Sequence, residues 1–255
     1  MQQQQTFNSS FLSRVFVLLY GVFCYFAFLL TCAYAVGFIG NIFLRKSLDS
    51  NGQESLVTAL LIDVGLLSIF ALQHSVMARK QFKAWWTQLI PKPMERSTYV
   101  LFSSLALILV FWQWRPIGMT IWQFDNLVAQ IIFYSLFALG WIIVLVSTFL
   151  INHFDLFGLR QVYLYFEGKD YTPLKFKTPA FYQYVRHPLY VGWFLVFWMT
   201  PIMTVSHLAF ALVTTIYILV AIQLEEKDLV DIHGEKYQNY RRQVPMLIPF
   251  IGKKS

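Results

Sequence analysis

The segment LVAQIIFYSLFALGWIIVLVSTFLI (Leu127–Ile151) carries no charged residue. A helix needs about 20 mostly apolar residues to cross the hydrocarbon core of a bilayer, and this run supplies them without a break. Three comparable runs precede it, at residues 15–44, 56–77 and 98–114. The first is long enough that it must tilt or extend past the bilayer. A further apolar stretch, residues 189–224, is too long for one span. Met199-Thr200-Pro201 breaks it, and Ser206 is placed to cap a new helix, so it reads as a tight helical hairpin with a short first arm. The expected fold is all-α: a polytopic transmembrane helix bundle of four spans plus a C-terminal hairpin, in a single domain over residues 1–255. Residues 15–151 form its four-span half. Residues 152–255 carry the motifs, the hairpin and the tail.

Composition points the same way. The chain is 57% hydrophobic and 13% charged, against about 45–50% and about 25% in soluble domains. So little charge cannot cover a water-facing surface. The first run is not expected to be a secretory signal, although Arg14 precedes it and Ala33-Tyr34-Ala35 resembles a cleavage site. A signal's apolar core spans only about 7–15 residues. Cys24 and Cys32 both lie in this run, roughly 12 Å apart along a helix, too far for a disulfide. They read as core thiols.

The net charge of +7 reflects topology. No Lys/Arg stripe accompanies a recognition element, so no nucleic-acid partner is expected. Of the basic residues, 17 fall in the N-terminal segment, the connections after the second and fourth spans, and the tail; only Arg45, Lys46 and Arg115 fall on the other side. This bias places both termini in the cytoplasm. Trp112, Trp114 and Trp122 are expected at the outer interface, Trp85 and Trp86 at the inner one. Turn chemistry at Glu167-Gly168-Lys169-Asp170 suggests a small hairpin over residues 162–177.

Polar residues inside spans are costly and therefore candidate functional groups. Asp63 and His74 lie about 20° apart around one helix; they serve either as a packing pair or as part of a site. The fourth span ends in Asn152, His153, Asp155, Arg160 and Gln161, more polar groups than one helix terminus needs. Arg186 and His187 precede Pro188, which suits a first helical turn, where backbone N–H groups favour an anion. Gly192 would permit close approach of a ligand or a second helix. Adjacent Glu225 and Glu226 point about 100° apart on a helix, so one of them is expected to face the core. The outer half offers almost no polar groups, which argues against a small-solute transporter. A non-catalytic membrane scaffold is the other reading of a different class.

Together, Arg186–Tyr190, the apolar hairpin, Glu225-Glu226 and Gly234–Tyr237–Tyr240 resemble the isoprenylcysteine carboxyl methyltransferase and phospholipid N-methyltransferase superfamily. The closer resemblance is to the bacterial membrane methanethiol S-methyltransferases. It includes residues 71–79, 95–99, 152–161 and 244–249. It implies an integral, multi-pass protein of the bacterial inner membrane that touches lipid and methylates a small thiol with S-adenosyl-L-methionine. It also implies a cofactor pocket built from Arg186, His187, Pro188, Tyr190, Gly192, Glu225 or Glu226, Tyr237, Tyr240 and Arg241. Glu would meet the cofactor's ammonium, Arg its carboxylate, and Tyr and His its adenine. Isoprenylcysteine carboxylates and phospholipid amines are the alternative acceptors.

A thiol must be deprotonated to attack. His153 and His74 are the candidate bases, with Asp155 orienting a histidine. Asn152 and Arg160 are candidate substrate contacts. No metal site is expected, because no two histidines have ligand spacing and no cysteine accompanies them.

Overall fold

The computed structural model describes residues 10–249. In chain order the helices are α1 (Phe11–Gly40), α2 (Leu56–Ala78), α3 (Lys80–Trp86), α4 (Glu95–Gln113), α5 (Leu127–Ile151), α6 (His153–Leu156), α7 (Leu159–Phe166), α8 (Pro188–Trp198), α9 (Val205–His233) and α10 (Glu235–Gln243). Five helices, α1, α2, α4, α5 and α9, are long and apolar enough to cross a membrane. The chain is a multi-pass integral membrane protein.

Local chemistry sets the helix starts. Ser10, Ser55 and Asn126 accept hydrogen bonds from the first free N–H groups of α1, α2 and α5, as good N-caps do. The first run begins four residues earlier than the apolar pattern alone suggests. It stops at Asn41, whose φ of 55° is left-handed.

The hairpin expected over residues 189–224 is α8 plus α9. Helix α8 has 11 residues, so it rises about 16 Å and covers about half of a bilayer core. It lies along α5 at backbone contact. A Cβ added to Gly192 would sit 2.8 Å from the Gly140 carbonyl oxygen, and one added to Gly140 would sit 2.8 Å from that of Gly192. Gly192 is therefore turned toward a second helix, not toward a ligand.

At the end of the bundle opposite the basic motifs, three sequence expectations are corrected. First, strands β1 (Thr120–Gln123) and β2 (Ile202–Thr204) pair antiparallel. This ribbon puts Thr204 at the turn into α9, so Thr204 rather than Ser206 caps it, accepting from His207 N at 3.2 Å. Ser206 instead accepts from the Ile117 backbone N–H at 2.6 Å. Second, Trp114 is fully buried against Phe38 and Phe210, edge-on to both; Trp112 is the exposed one. Third, this end does hold buried polar groups. Asp49 accepts from Thr204 Oγ1 at 2.6 Å and lies 2.9 Å from His207 Nδ1, while His207 Nε2 donates to the Phe197 carbonyl at 3.0 Å. Asp63 accepts from the Arg115 N–H at 2.8 Å. These groups bind one another and the backbone, and they tie the connecting loops across the bundle.

At the basic end, the predicted hairpin over 162–177 does not form. Val162 lies within α7, buried under α1 at Gly21, where a Cβ would collide with it. The chain then turns at Gly168 and runs without regular structure to the 3-10 turn Ala180–Gln183. Arg79–Asp228 (3.1 Å) and Lys80–Asp231 (3.4 Å) join the end of α2 and the start of α3 to α9. Gly158, at φ +90°, sits directly over Ser97, leaving no room for a side chain.

Asp49→Ala should leave the buried His207 Nδ1 and Thr204 Oγ1 without their partner and cost about 1–3 kcal/mol. Thermal unfolding in detergent reads this as a lowered midpoint; an unchanged midpoint would show that the Asp49 cluster does not support the fold.

Candidate active site at the basic end of the bundle

The start of α8 brings the motif residues together. Pro188 is the first residue of the helix and is buried. His187 stands before it as N-cap, with no side-chain capping bond. Arg186 Nε donates to Glu226 Oε1 at 2.7 Å, and His187 Nε2 lies 3.0 Å from the same oxygen. Arg186 Nη1 also donates to the carbonyls of Arg241 (3.0 Å) and Val244 (2.5 Å). The backbone N–H groups of Arg186 and His187 donate to the carbonyls of Pro245 and Met246. One buried carboxylate thus ties together α8, α9, α10 and the chain after α10.

The two adjacent glutamates have separate surroundings, as their angular separation requires. Glu226 is buried. Glu225 is half-exposed and accepts from Tyr190 Oη at 2.9 Å. Arg241, also half-exposed, lies 3.9 Å from Glu226 Oε2. A cleft of about 320 Å³ opens between α9 and α10, lined in part by Glu226, Lys227, Arg241 and Arg242. Glu225 and Tyr190 lie outside its walls, so the cleft covers only part of the motif.

Tyr237 and Tyr240 form the aromatic side of the cluster, their ring centroids 5.8 Å apart. Burial raises both phenols above the usual tyrosine range, and the Glu226 charge acts in the same direction. Both are therefore hydrogen-bond donors. Tyr240 donates to the Tyr182 carbonyl at 2.6 Å. The Tyr237 hydroxyl is buried and has no partner among the described residues. Phe176 completes the cluster, edge-on to Tyr237 at 5.7 Å and to Tyr240 at 5.5 Å. Sequence reasoning missed Phe176, because it lies in a stretch with no periodicity to mark its direction.

The fourth-span terminus is organised differently. His153 stacks on Phe149 at 4.3 Å and meets Tyr25 and Phe157 edge-on. Its Nε2 lies 2.8 Å from Tyr25 Oη and its Nδ1 2.8 Å from Thr148 Oγ1. Burial lowers its basicity below the usual histidine range. Asp155 does not orient it: Asp155 pairs with Arg160 at 2.8 Å and accepts from Tyr171 Oη at 3.3 Å. Asn152 Oδ1 accepts from the Asp155 N–H, and Arg160 also reaches Thr172. These groups are engaged in holding the loop in place.

His74 faces the bundle interior near the end of α2. Its Nε2 lies 2.7 Å from Tyr99 Oη and its Nδ1 3.1 Å from Ser103 Oγ, both on α4. Ser75, next to it, meets Tyr217 Oη of α9 at 3.2 Å. Tyr99, Tyr217 and Tyr190 lie within electrostatic reach of one another. This links the His74 group to the α8–α9 motif. Among the described residues no cluster of His, Cys, Asp and Glu could hold a metal ion.

The chain is 91% identical over its whole length, and over all of the relative, to a methanethiol S-methyltransferase of Crocosphaera subtropica. The chain belongs to the methanethiol S-methyltransferase family. A member from Mycobacterium tuberculosis is 46% identical over 94% of this chain and 98% of its own. Nurim of Sus scrofa is 31% identical over 69% of this chain and 70% of its own. No family model and no solved structure matches the chain. Membership of this family makes the protein a methyltransferase and implies a methyl donor.

Removing Glu226 should unfold more than it disables. Glu226→Ala leaves the Arg186 guanidinium without its counter-charge and His187 Nε2 without its partner, and should cost about 3–5 kcal/mol. Half-exposed Glu225→Gln should stay within about 0.5 kcal/mol of wild type. Equal thermal midpoints for the two variants in detergent would contradict this division of roles.

Proposed function

We propose that this protein transfers a methyl group from S-adenosyl-L-methionine to methanethiol, giving dimethyl sulfide, at the cytoplasmic face of a bacterial inner membrane. The full-length identity of 91% to a methanethiol S-methyltransferase carries this reading. The residues at the basic end suit the donor. Glu225, held by Tyr190 and half-exposed, offers a carboxylate to the donor's ammonium. Arg186 has its Nε and Nη1 engaged, so the donor's carboxylate falls to Arg241, beside the cleft. The Tyr237 hydroxyl, without a partner among the described residues, and the rings of Tyr240 and Phe176 suit a polar heterocycle such as adenine, which aromatic side chains stack against and hydroxyls bond.

S-Adenosyl-L-methionine supplies an electrophilic methyl carbon on a sulfonium sulfur. The protein's part is to hold the acceptor sulfur in line with that carbon, to exclude water and to take the thiol proton. Positioning of this kind supplies up to roughly 7–11 kcal/mol in ideal cases. Of the proposed catalytic side chains, His74 lies beside the α8–α9 motif through Tyr99 and Tyr217. His153 sits in its own aromatic surround, where it supports the loop after α5; His153→Ala should therefore affect folding before turnover.

Purified protein with labelled donor should release dimethyl sulfide into the headspace from methanethiol, and should leave isoprenylcysteine and phospholipid amines unmethylated. Glu225→Gln should weaken donor binding about 10–100-fold, the value of a hydrogen bond to a charged group. Methylation of a lipid acceptor in preference to the thiol would overturn the proposed substrate. Unchanged donor affinity in Glu225→Gln would overturn its assigned role.

A further inference from the structure

We infer that Tyr99 is the group that takes the thiol proton, with His74 behind it as the proton's destination; this rests on the proposed thiol methylation. The hydrogen bonds decide the tautomer of His74. Ser103 Oγ donates its single proton to the Tyr99 carbonyl at 2.9 Å, because a carbonyl can only accept. Toward His74, Ser103 is then an acceptor, so Nδ1 carries the imidazole proton. Nε2 holds the lone pair and receives the Tyr99 hydroxyl at 2.7 Å. The ring is thus neutral, with its basic nitrogen pointed at a phenol.

This arrangement excludes direct contact between substrate and His74, since both ring nitrogens are covered. The oxygen of Tyr99 keeps lone pairs free, and it faces the interior where Tyr217 of α9 and Tyr190 of α8 approach. Tyr190 in turn holds Glu225. The charged groups facing the pair are Glu95 and Arg96 on α4 and Arg79 at the end of α2. The Arg96 guanidinium lies 5.0 Å from the centre of the Tyr99 ring, a fixed positive charge beside a phenol that carries negative charge in transit.

In the step itself the thiol S–H bond breaks and its proton passes to Tyr99 Oη, while the phenol's own proton moves to His74 Nε2. The freed sulfur electron pair forms the new carbon–sulfur bond. The bond it displaces leaves its pair on the sulfonium donor's sulfur, which becomes a neutral thioether. His74, now an imidazolium, returns the extra proton to water at the basic end. Tyr99 is the catalytic residue, and His74 and Ser103 are positioning residues that act through it.

The test compares two acceptors in full-length purified protein: methanethiol, and methaneselenol, which is already ionised at neutral pH. In Tyr99→Phe, turnover of methanethiol should fall about 100-fold or more, the usual contribution of general base catalysis, while methaneselenol stays within about threefold of wild type. His74→Gln should show the same split, which a purely structural role would not produce. Equilibrium binding of S-adenosyl-L-methionine should be unchanged in both, which checks that the site has formed. Wild-type turnover of methanethiol by Tyr99→Phe, or an equal loss of both acceptors in Tyr99→Phe and His74→Gln, would overturn the inference. Wild-type protein that makes no dimethyl sulfide would instead overturn the proposed function on which it rests.

Discussion

A single buried carboxylate, Glu226, organises the basic end of this protein. Arg186 and His187 share its Oε1 oxygen, and Arg186 also grips two carbonyls of the chain that follows α9. A charge placed in a membrane protein's interior is costly unless it is paired and hydrogen-bonded. The fold meets that cost by bringing three separated stretches of chain to one point. Once they are there, Tyr190 can reach Glu225, and Tyr237 and Tyr240 can close over the same end. The ion pair is a framework around which more exposed groups are presented.

The opposite end is built for closure. Helix α8 covers only about half of a bilayer core, so the chain must turn inside the half of the bundle opposite the basic motifs. The β1–β2 ribbon, the Thr204 cap and the Asp49–His207 contact supply the hydrogen bonds that this turn exposes. In a bilayer, unsatisfied backbone groups are too costly to leave open. The two ends therefore divide the work: one seals the bundle, and the other gathers ionisable side chains.

Much of this was legible in the sequence because hydropathy and helix period are local signals. Leu127–Ile151 is a helix over the same residues that mark the apolar run, and the break after Trp198 falls where Pro201 interrupts the pattern. The gathering of Arg186, His187, Tyr190, Glu225, Glu226, Tyr237 and Tyr240 was implied by the family resemblance that their order carries, not by local physics. Other features depend on contacts between distant residues. Asp49 meets His207 across the chain, and Phe176 enters the aromatic cluster from an irregular segment; neither has a periodic mark. Trp114 was misplaced because an aromatic at a helix end has two good environments, an interface and a core, and composition does not separate them. Asp155 was set beside a histidine because it is near one in sequence, whereas Arg160, five residues further on in α7, offers the stronger charge-assisted partner. Gly192 was open to either a ligand or a helix, and Gly140 on α5 decides for the helix.

The start of α8, the end of α9 and the chain around α10 are proposed to form one donor site. Hydrogen–deuterium exchange of the protein in lipid nanodiscs, with and without S-adenosyl-L-methionine, tests it most directly. The donor should slow exchange in residues 182–192, 223–227 and 234–246 together, and leave the opposite end at residues 41–55 and 116–126 unchanged. Protection confined to residues 152–172, or spread over the opposite end, would contradict it.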